Sequence, residues 1–300
     1  MDKQSYLPRK DSGIELDDKY EHTTGFLDLP PEVRTSIYEL IFDPEESRRL
    51  AYHHPGQPDS LHEEYYASDH LKPLLTCRHI YSDAHLLAFS RTTFVVRNPF
   101  TSKDISKRLQ SRLSQSQIQS VRSVSFVAEA DHFRSMRNWK GHAFGNTELF
   151  LDHLDIVLHK SSYWHYMFDF NTIMVELLRN LKSVKRITYI KNGGRVKPHF
   201  HTWFNRLGAA ILKFDELYRF VNGQPEERWW AWEFDGRAQT ASLIARPAKP
   251  ADLSHAEYEE YMRPIREDLT RSIEAEAYDP DPMSRNGYVV VLPSLSLTRT

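Results

Sequence analysis

Residues 118–127 read IQSVRSVSFV and residues 181–190 read LKSVKRITYI, and these two stretches decide the fold class. The ten positions match in class throughout, apart from Gln119/Lys182 and Ser123/Arg186, which are polar in both copies. The offset between them is 63 residues. Each copy follows a helical pattern. The first helix is capped by Thr101 or Ser102 and carries Ile105, Leu109 and Leu113; the second is capped by Asn171 and carries Ile173, Leu177 and Leu181. Each copy then alternates as a strand, with Val124 and Phe126, or Ile187 and Tyr189, on one face. Helix then strand, twice over, predicts parallel strands joined by helical crossovers, and hence an α/β or α+β fold with a mixed, partly parallel sheet. Leucine-rich horseshoes repeat every ~20–29 residues. The 63-residue offset is therefore either an inflated, distant relative of that arrangement or a resemblance between two buried strands of one sheet.

Towards the C-terminus, Phe150, Leu151, Leu154 and Leu158 predict a helix over 147–160, and Leu207, Ile211, Phe214 and Tyr218 another over 204–221. Residues 228–234 alternate as a strand, with Trp230, Trp232 and Phe234 on one face. Asp235–Gly236 is a hairpin signature, and residues 240–246 are the return strand. Ser254 and Glu257 form a capping box ahead of a charged surface helix over 255–277, with Leu253 and Tyr258 able to staple it. GYVVVLP, ending at Pro293, reads as a last strand.

Towards the N-terminus, TTFVV (92–96) is a short strand, preceded by a helix with Leu74, Cys77, Tyr81, Ala84 and Ala88 on one side. That stripe predicts Cys77 on a buried helical face. Residues 43–69, rich in His, Pro, Glu and Asp, read as a long exposed loop. Before them, Pro30 and Pro31 open a helix with Glu32 in its first turn, and Val33, Ile37, Leu40 and Ile41 form one apolar stripe. Residues 1–24 are polar and aperiodic, and read as a disordered tail.

Composition narrows the function classes. Hydrophobic residues make up 40% of the 300, and aromatics 12%, enough for a substantial core. A formal net charge of −2 provides no electrostatic pull towards nucleic acid or anionic membrane, so a nucleic-acid partner is not expected. A single cysteine, Cys77, precludes an intrachain disulfide and a closed cysteine zinc site. The start lacks the apolar run of a signal peptide, and no stretch reaches the ~20 apolar residues of a membrane span. The expectation is a cytoplasmic or nuclear chain.

No catalytic constellation stands out. His199 and His201 would face the same way on a strand, but no third ligand lies at a known spacing, so neither a metal nor another cofactor is expected. His53–His54, with His62 and Glu63–Glu64, is a solvated polar run. Gly193–Gly194 follows a strand without either phosphate-loop pattern and reads as a turn. Trp229, Trp230 and Trp232 are either sheet-covering aromatics or a second partner surface. Lys182, Lys185, Arg186, Lys191, Arg195 and Lys197 make a modest basic edge, where an anionic partner would be sought first. No small-molecule site is evident.

LDLPPEVRTSIYELIF (27–42) and LLTCRHIYSDAHLLAFSRTTFVV (74–96) together resemble the F-box-like proteins abundant in filamentous fungi. In that family a leucine–proline–proline–glutamate helix start, here Leu29-Pro30-Pro31-Glu32, precedes a helix built on a cysteine–arginine–x–isoleucine–tyrosine core, here Cys77 to Tyr81. The resemblance implies an F-box-like segment over 25–96, interrupted by the 43–69 loop, and an α/β body over 97–300. It also implies a Skp-type adaptor and a cullin as partners, docked through Leu29, Pro30, Val33, Ile37 and Leu40, with the body recruiting an unknown protein substrate to a ubiquitin ligase.

Two other readings stay open. In one, the chain is a structural or interaction protein whose F-box-like helices are only core, which requires Leu29, Val33, Ile37 and Leu40 to be buried. In the other, it is an unrecognised enzyme or anionic-ligand binder, which requires a pocket of converging polar groups or a continuous basic face.

Overall fold

The C-terminal parts of the two ten-residue copies are strands of one sheet with a third strand between them. The computed structural model describes residues 25–52, 60–97, 102–160, 163–164, 168–196, 200–221, 228–247 and 254–277. Five helical segments precede and follow the first strand: α1 (Pro31–Ile41), α2 (Pro44–Ala51), α3 (Ala67–His70) and α4 (Arg78–Arg91) come before β1 (Thr93–Val96), and α5 (Ser102–Arg112) after it. Then come α6 (Gln115–Ser120), β2 (Ser123–Ala128), α7 (Ala130–Met136), β3 (Leu151–Leu158), β4 (Tyr163–Trp164), α8 (Phe168–Asn180), β5 (Val184–Ile190) and β6 (Arg195–Val196). The chain continues with α9 (Phe200–Glu216), β7 (Arg228–Asp235), β8 (Thr240–Pro247) and α10 (His255–Ala277). No helix among the described residues is long and apolar enough to cross a membrane.

The main sheet has the order β1-β2-β3-β5-β8-β7; β4 and β6 pair separately. The first four strands are parallel and lie in chain order, and β8 and β7 add an antiparallel hairpin. Register explains the 63-residue offset. Val124 sits beside Leu154, and Leu154 beside Ile187, so the two similar copies are second neighbours across β3. Thr93, Ser123, His153 and Arg186 form one row across the sheet, spaced 30, 30 and 33 residues apart. The true period is one strand, about half the offset read from the sequence.

The helix expected over 147–160 is therefore β3. Leu154, Ile156 and Leu158 alternate into the helix-covered core, while Asp155 and Val157 face the other side. Asp155 is fully buried in the strand. Tyr52 Oη donates to its carboxylate at 2.8 Å, and the Arg48 guanidinium Nη1 lies 3.4 Å away. A charged residue at a buried strand position breaks the alternation by which a strand is read.

The groups that satisfy Asp155 come from the segment read as an exposed loop. Residues 43–69 instead contain α2 and α3 and bury Ser47, Ala51, Tyr52, Leu61 and Tyr65. Ala51, Tyr52, Leu61 and Tyr65 cover Val127, Val157 and Ile190 on the second sheet face. Polar bonds complete this layer: Thr93 N–H donates to Ser47 Oγ (2.9 Å), Tyr65 Oη to the Thr93 carbonyl (2.8 Å), and Leu61 N–H to Asn192 Oδ1 (2.9 Å). The segment's histidines and carboxylates gave it the composition of a loop, but Tyr52 and Tyr65 are core while Tyr66 is exposed.

The first sheet face carries one continuous cluster from Tyr38 and Phe42 through Val124, Leu154 and Ile187 to Trp230 and Leu243. It takes in both α1 and the β7–β8 hairpin, and β1 is an edge strand of the sheet, so the division at 96/97 cuts through a shared core. Asn171 lies inside α8, which begins at Phe168, and so is not its cap. The hairpin turn forms as read, with Asp235 Oδ1 accepting from Arg237 and Ala238 N–H. The capping box at Ser254 and Glu257 also forms, and α10 buries Tyr258, Met262 and Leu269. The 1–24 tail, the Thr101 cap, Leu253 and the GYVVVLP strand lie outside the described residues.

Candidate functional site

Leu29, Pro30 and the helix behind them are positioned by one arginine. Pro30 is the N-cap of α1 and Pro31 its first residue, where a missing N–H costs no hydrogen bond. Arg34, one turn in, donates from Nη1 to the carbonyls of Leu27 (3.1 Å) and Leu29 (2.7 Å). Its Nε reaches Asp83 Oδ2 on α4 at 3.0 Å. A single guanidinium thus fixes the bend before α1 and ties α1 to α4, using the planar fork that lysine lacks. A second ion pair, Arg91 with Glu39 at 3.0 Å, joins the far ends of the same two helices. The sequence reading missed Arg34; a lone cation set among the apolar motif positions was the available signal.

This anchoring sets which face of α1 points outward. Tyr38 and Phe42 are buried, Tyr38 edge-on to Phe26 and Phe42 edge-on to His70, and they fix one face of α1 to the core. The adjoining face carries the predicted stripe, and it points to solvent. Leu40 is 80% exposed, and Val33 and Ile41 are each 44% exposed. Leu29 and Ile37 are half-buried, and Pro30 is exposed. The reading in which Leu29, Val33, Ile37 and Leu40 are all core is thereby corrected: the core anchors are Tyr38 and the C-cap Phe42, while Val33 and Leu40 are exposed and Leu29 and Ile37 only half-buried.

Cys77 also differs from expectation. It is the half-buried N-cap of α4, its Sγ accepting from Ile80 N–H at 3.5 Å, and it does not lie on a buried helical face. Ile80 packs against the core, while Tyr81 stacks on His85 and accepts from Gln117.

The tryptophan surface separates into two cases. Trp230 is core, 1% exposed, with its indole N–H donating to the Leu178 carbonyl at 2.9 Å. Burial of the ring and satisfaction of its one donor remove it from any partner surface. Trp229 and Trp232 pair through their backbones with Arg246 and Leu243, and their side chains lie outside the described residues.

His199 lies outside the described residues as well, and His201 is on helix α9 rather than a strand, stacked on Phe234. His53–His54 is likewise outside them. Gly193 is in the left-handed region, in the turn expected after β5. The basic edge is largely paired: Lys185 with Asp152 (2.7 Å), Arg186 with Glu233 (3.0 Å) and Lys191 with Gln239 (3.1 Å). A cleft of about 560 Å³ at the C-terminus of α8 is lined by Arg137, Lys140, His142, Glu176 and Lys182. Cations are favoured beside free helix-end carbonyls, and Arg137 is already paired with Glu176 at 3.0 Å. No hydroxyl or thiol lines that cleft.

The chain matches no protein-family model, no curated protein and no solved structure.

Proposed function

We propose that the chain is a non-enzymatic protein-interaction protein that docks through the exposed face of α1 onto the Skp-type adaptor of a cullin–RING ubiquitin ligase. In this reading the α/β body holds a second protein as substrate, and the chain works in the cytosol or nucleus. The observation that carries it is the outward stripe of Val33, Leu40 and Ile41 on a helix whose own core contacts are made by Tyr38 and Phe42. Single exposed aliphatics are ordinary on protein surfaces, but several on one helical face are the feature of a docking site. Full covering of Leu40 would contribute roughly 1.5–3 kcal/mol, and of the already half-covered Val33 and Ile41 about half as much each. The stripe coincides with the LPPE segment that resembles the F-box start, and Arg34 holds that segment rigid in advance of binding.

The test is direct binding of the purified chain to a purified Skp-type adaptor, beside a Val33→Asp/Leu40→Asp variant. Both positions are exposed, so the variant should keep the wild-type circular dichroism spectrum. Expected is one-to-one binding by wild type that weakens at least tenfold in the variant. Absence of binding by wild type, or equal binding by a folded variant, overturns the reading.

A further inference from the structure

The junction of α9 and α10 brings together three side chains that no motif of the sequence had connected. Glu216 ends α9, and His255 and Glu259 lie one turn apart on α10. One donor atom from each lies within 4.8 Å of the other two. We infer that Glu216, His255 and Glu259 form a binding site for a divalent transition metal, zinc foremost, which clips α10 to the end of α9.

A histidine and a glutamate four residues apart on a helix project from the same face, so their ligand atoms can converge on one ion. The third ligand comes from another helix, so a bound ion would bridge two elements. Distance is the second point. His255 Nε2 and Glu216 Oε1 are 3.3 Å apart. Two ligands at zinc–nitrogen and zinc–oxygen distances of about 2.0–2.1 Å, placed at tetrahedral angles, stand about 3.3–3.4 Å from one another. Glu259 supplies the third corner after a small closing movement, and it is exposed, leaving a fourth position to water. Three protein ligands of mixed nitrogen and oxygen with one open position suit zinc, whereas magnesium demands near-octahedral oxygen.

Orientation and charge are the third point. Arg266 donates to Glu216 Oε2 at 2.6 Å, leaving the other oxygen, Oε1, facing His255. It also reaches Glu259 Oε1 at 3.5 Å. This is the outer hydrogen bonding that aims carboxylate ligands at a metal. The His255 ring stands edge-on to Phe220 at 4.7 Å, and Phe220 in turn packs against the fully buried Tyr258. Two carboxylates and one guanidinium leave a net negative charge at the point where the dication would sit.

The experiment uses the full chain, stripped of metal by chelation, titrated calorimetrically with zinc chloride and separately with magnesium chloride. His255→Ala and Glu259→Gln are run in parallel, with circular dichroism to check folding; the second is nearly isosteric and keeps the test informative if the first perturbs α10. Expected is uptake of one zinc per chain and a zinc-dependent rise in Tm. Both variants should weaken uptake at least tenfold, and magnesium should shift nothing. Cobalt should give a visible d–d absorption band in wild type that both variants lose. Failure of wild type to take up zinc, or equal uptake by both variants, would mean that the three side chains form only an interhelical ion network with Arg266.

Discussion

Tyr52 and His70 show how much of the fold rests on single side chains in the segment between the first and fourth helices. Tyr52 Oη donates to buried Asp155 at 2.8 Å and stands 2.6 Å from Ser125 Oγ. Burial, and after it the Asp155 charge, push this phenol well above its usual value, so it remains a neutral donor at any physiological pH. A hydrogen bond to a buried charge contributes about 1.5–3 kcal/mol, more than a neutral one. Tyr52→Phe keeps the ring and removes that bond, and should lower stability by about this amount, read as a lower urea midpoint at unchanged m. His70 contributes a pH dependence, as does His153 on β3, whose pKa burial also lowers. The His70 Nε2 is buried without a hydrogen-bond partner, and its ring lies edge-on to Phe42. Burial lowers its pKa, against the opposing pull of Glu46 and Asp43. The unfolded chain therefore binds a proton below a pH of about 6.5 that the folded chain does not yet bind, and stability declines as pH falls from there through the folded value. Wild-type Tm should fall more steeply between roughly pH 7 and pH 5 than that of His70→Gln. Parallel curves would remove His70 as the cause.

Legibility in the sequence followed the chemistry of each strand and helix. β2 and β5 were readable because Val124 and Phe126, or Ile187 and Tyr189, alternate into the core, and the β7–β8 turn because Asp235 is a residue whose carboxylate accepts from turn N–H groups, here those of Arg237 and Ala238. β3 was not, because Asp152, His153 and Asp155 interrupt it, and what makes Asp155 tolerable there is Tyr52, over a hundred residues away. For the same reason the candidate site was half legible. Period alone gave the stripe of α1, but which way it faces is set by Tyr38, Phe42 and the Arg34–Asp83 pair, all of them tertiary. The link between α7 and β3 contains a constraint that periodicity also cannot show. Gly141 has φ +88°, and its carbonyl accepts from Lys182 N–H at 2.8 Å, just past the end of α8. A Cβ there would lie 2.8 Å from the Asn180 carbonyl oxygen, which is backbone and cannot swing aside. Gly141→Ala should therefore destabilise by about 1–3 kcal/mol, through both strain and displacement of the α8 end. A loss below roughly 0.5 kcal/mol by denaturant unfolding would show that this turn relaxes freely.

At the scale of the molecule, the helical N-terminal region and the sheet depend on each other for burial. A parallel strand must be covered on both faces. The crossover helices cover one face, and the other, over β1, β2 and β3, is covered by Ala51, Tyr52, Leu61 and Tyr65. Removing residues 1–96 would take away β1, expose Val127, Val157 and Ile190, and strand Asp155 without Tyr52 or Arg48. Each of the three aliphatics returned to water forfeits roughly 1.5–3 kcal/mol, together a large share of a domain's total stability. The new edge at β2 would also present unpaired backbone groups to other chains. A chain of residues 97–300 should accordingly fail to unfold cooperatively and should associate, where the full chain gives a single transition. Thermal unfolding beside sedimentation of both forms is the measurement. A monomeric 97–300 with a sharp transition would mean that the helical N-terminal region is an independent module appended to the body. The opposite result means that α1 and the sheet form one cooperative unit, because Tyr38 and Phe42 belong to the cluster that continues to Leu243.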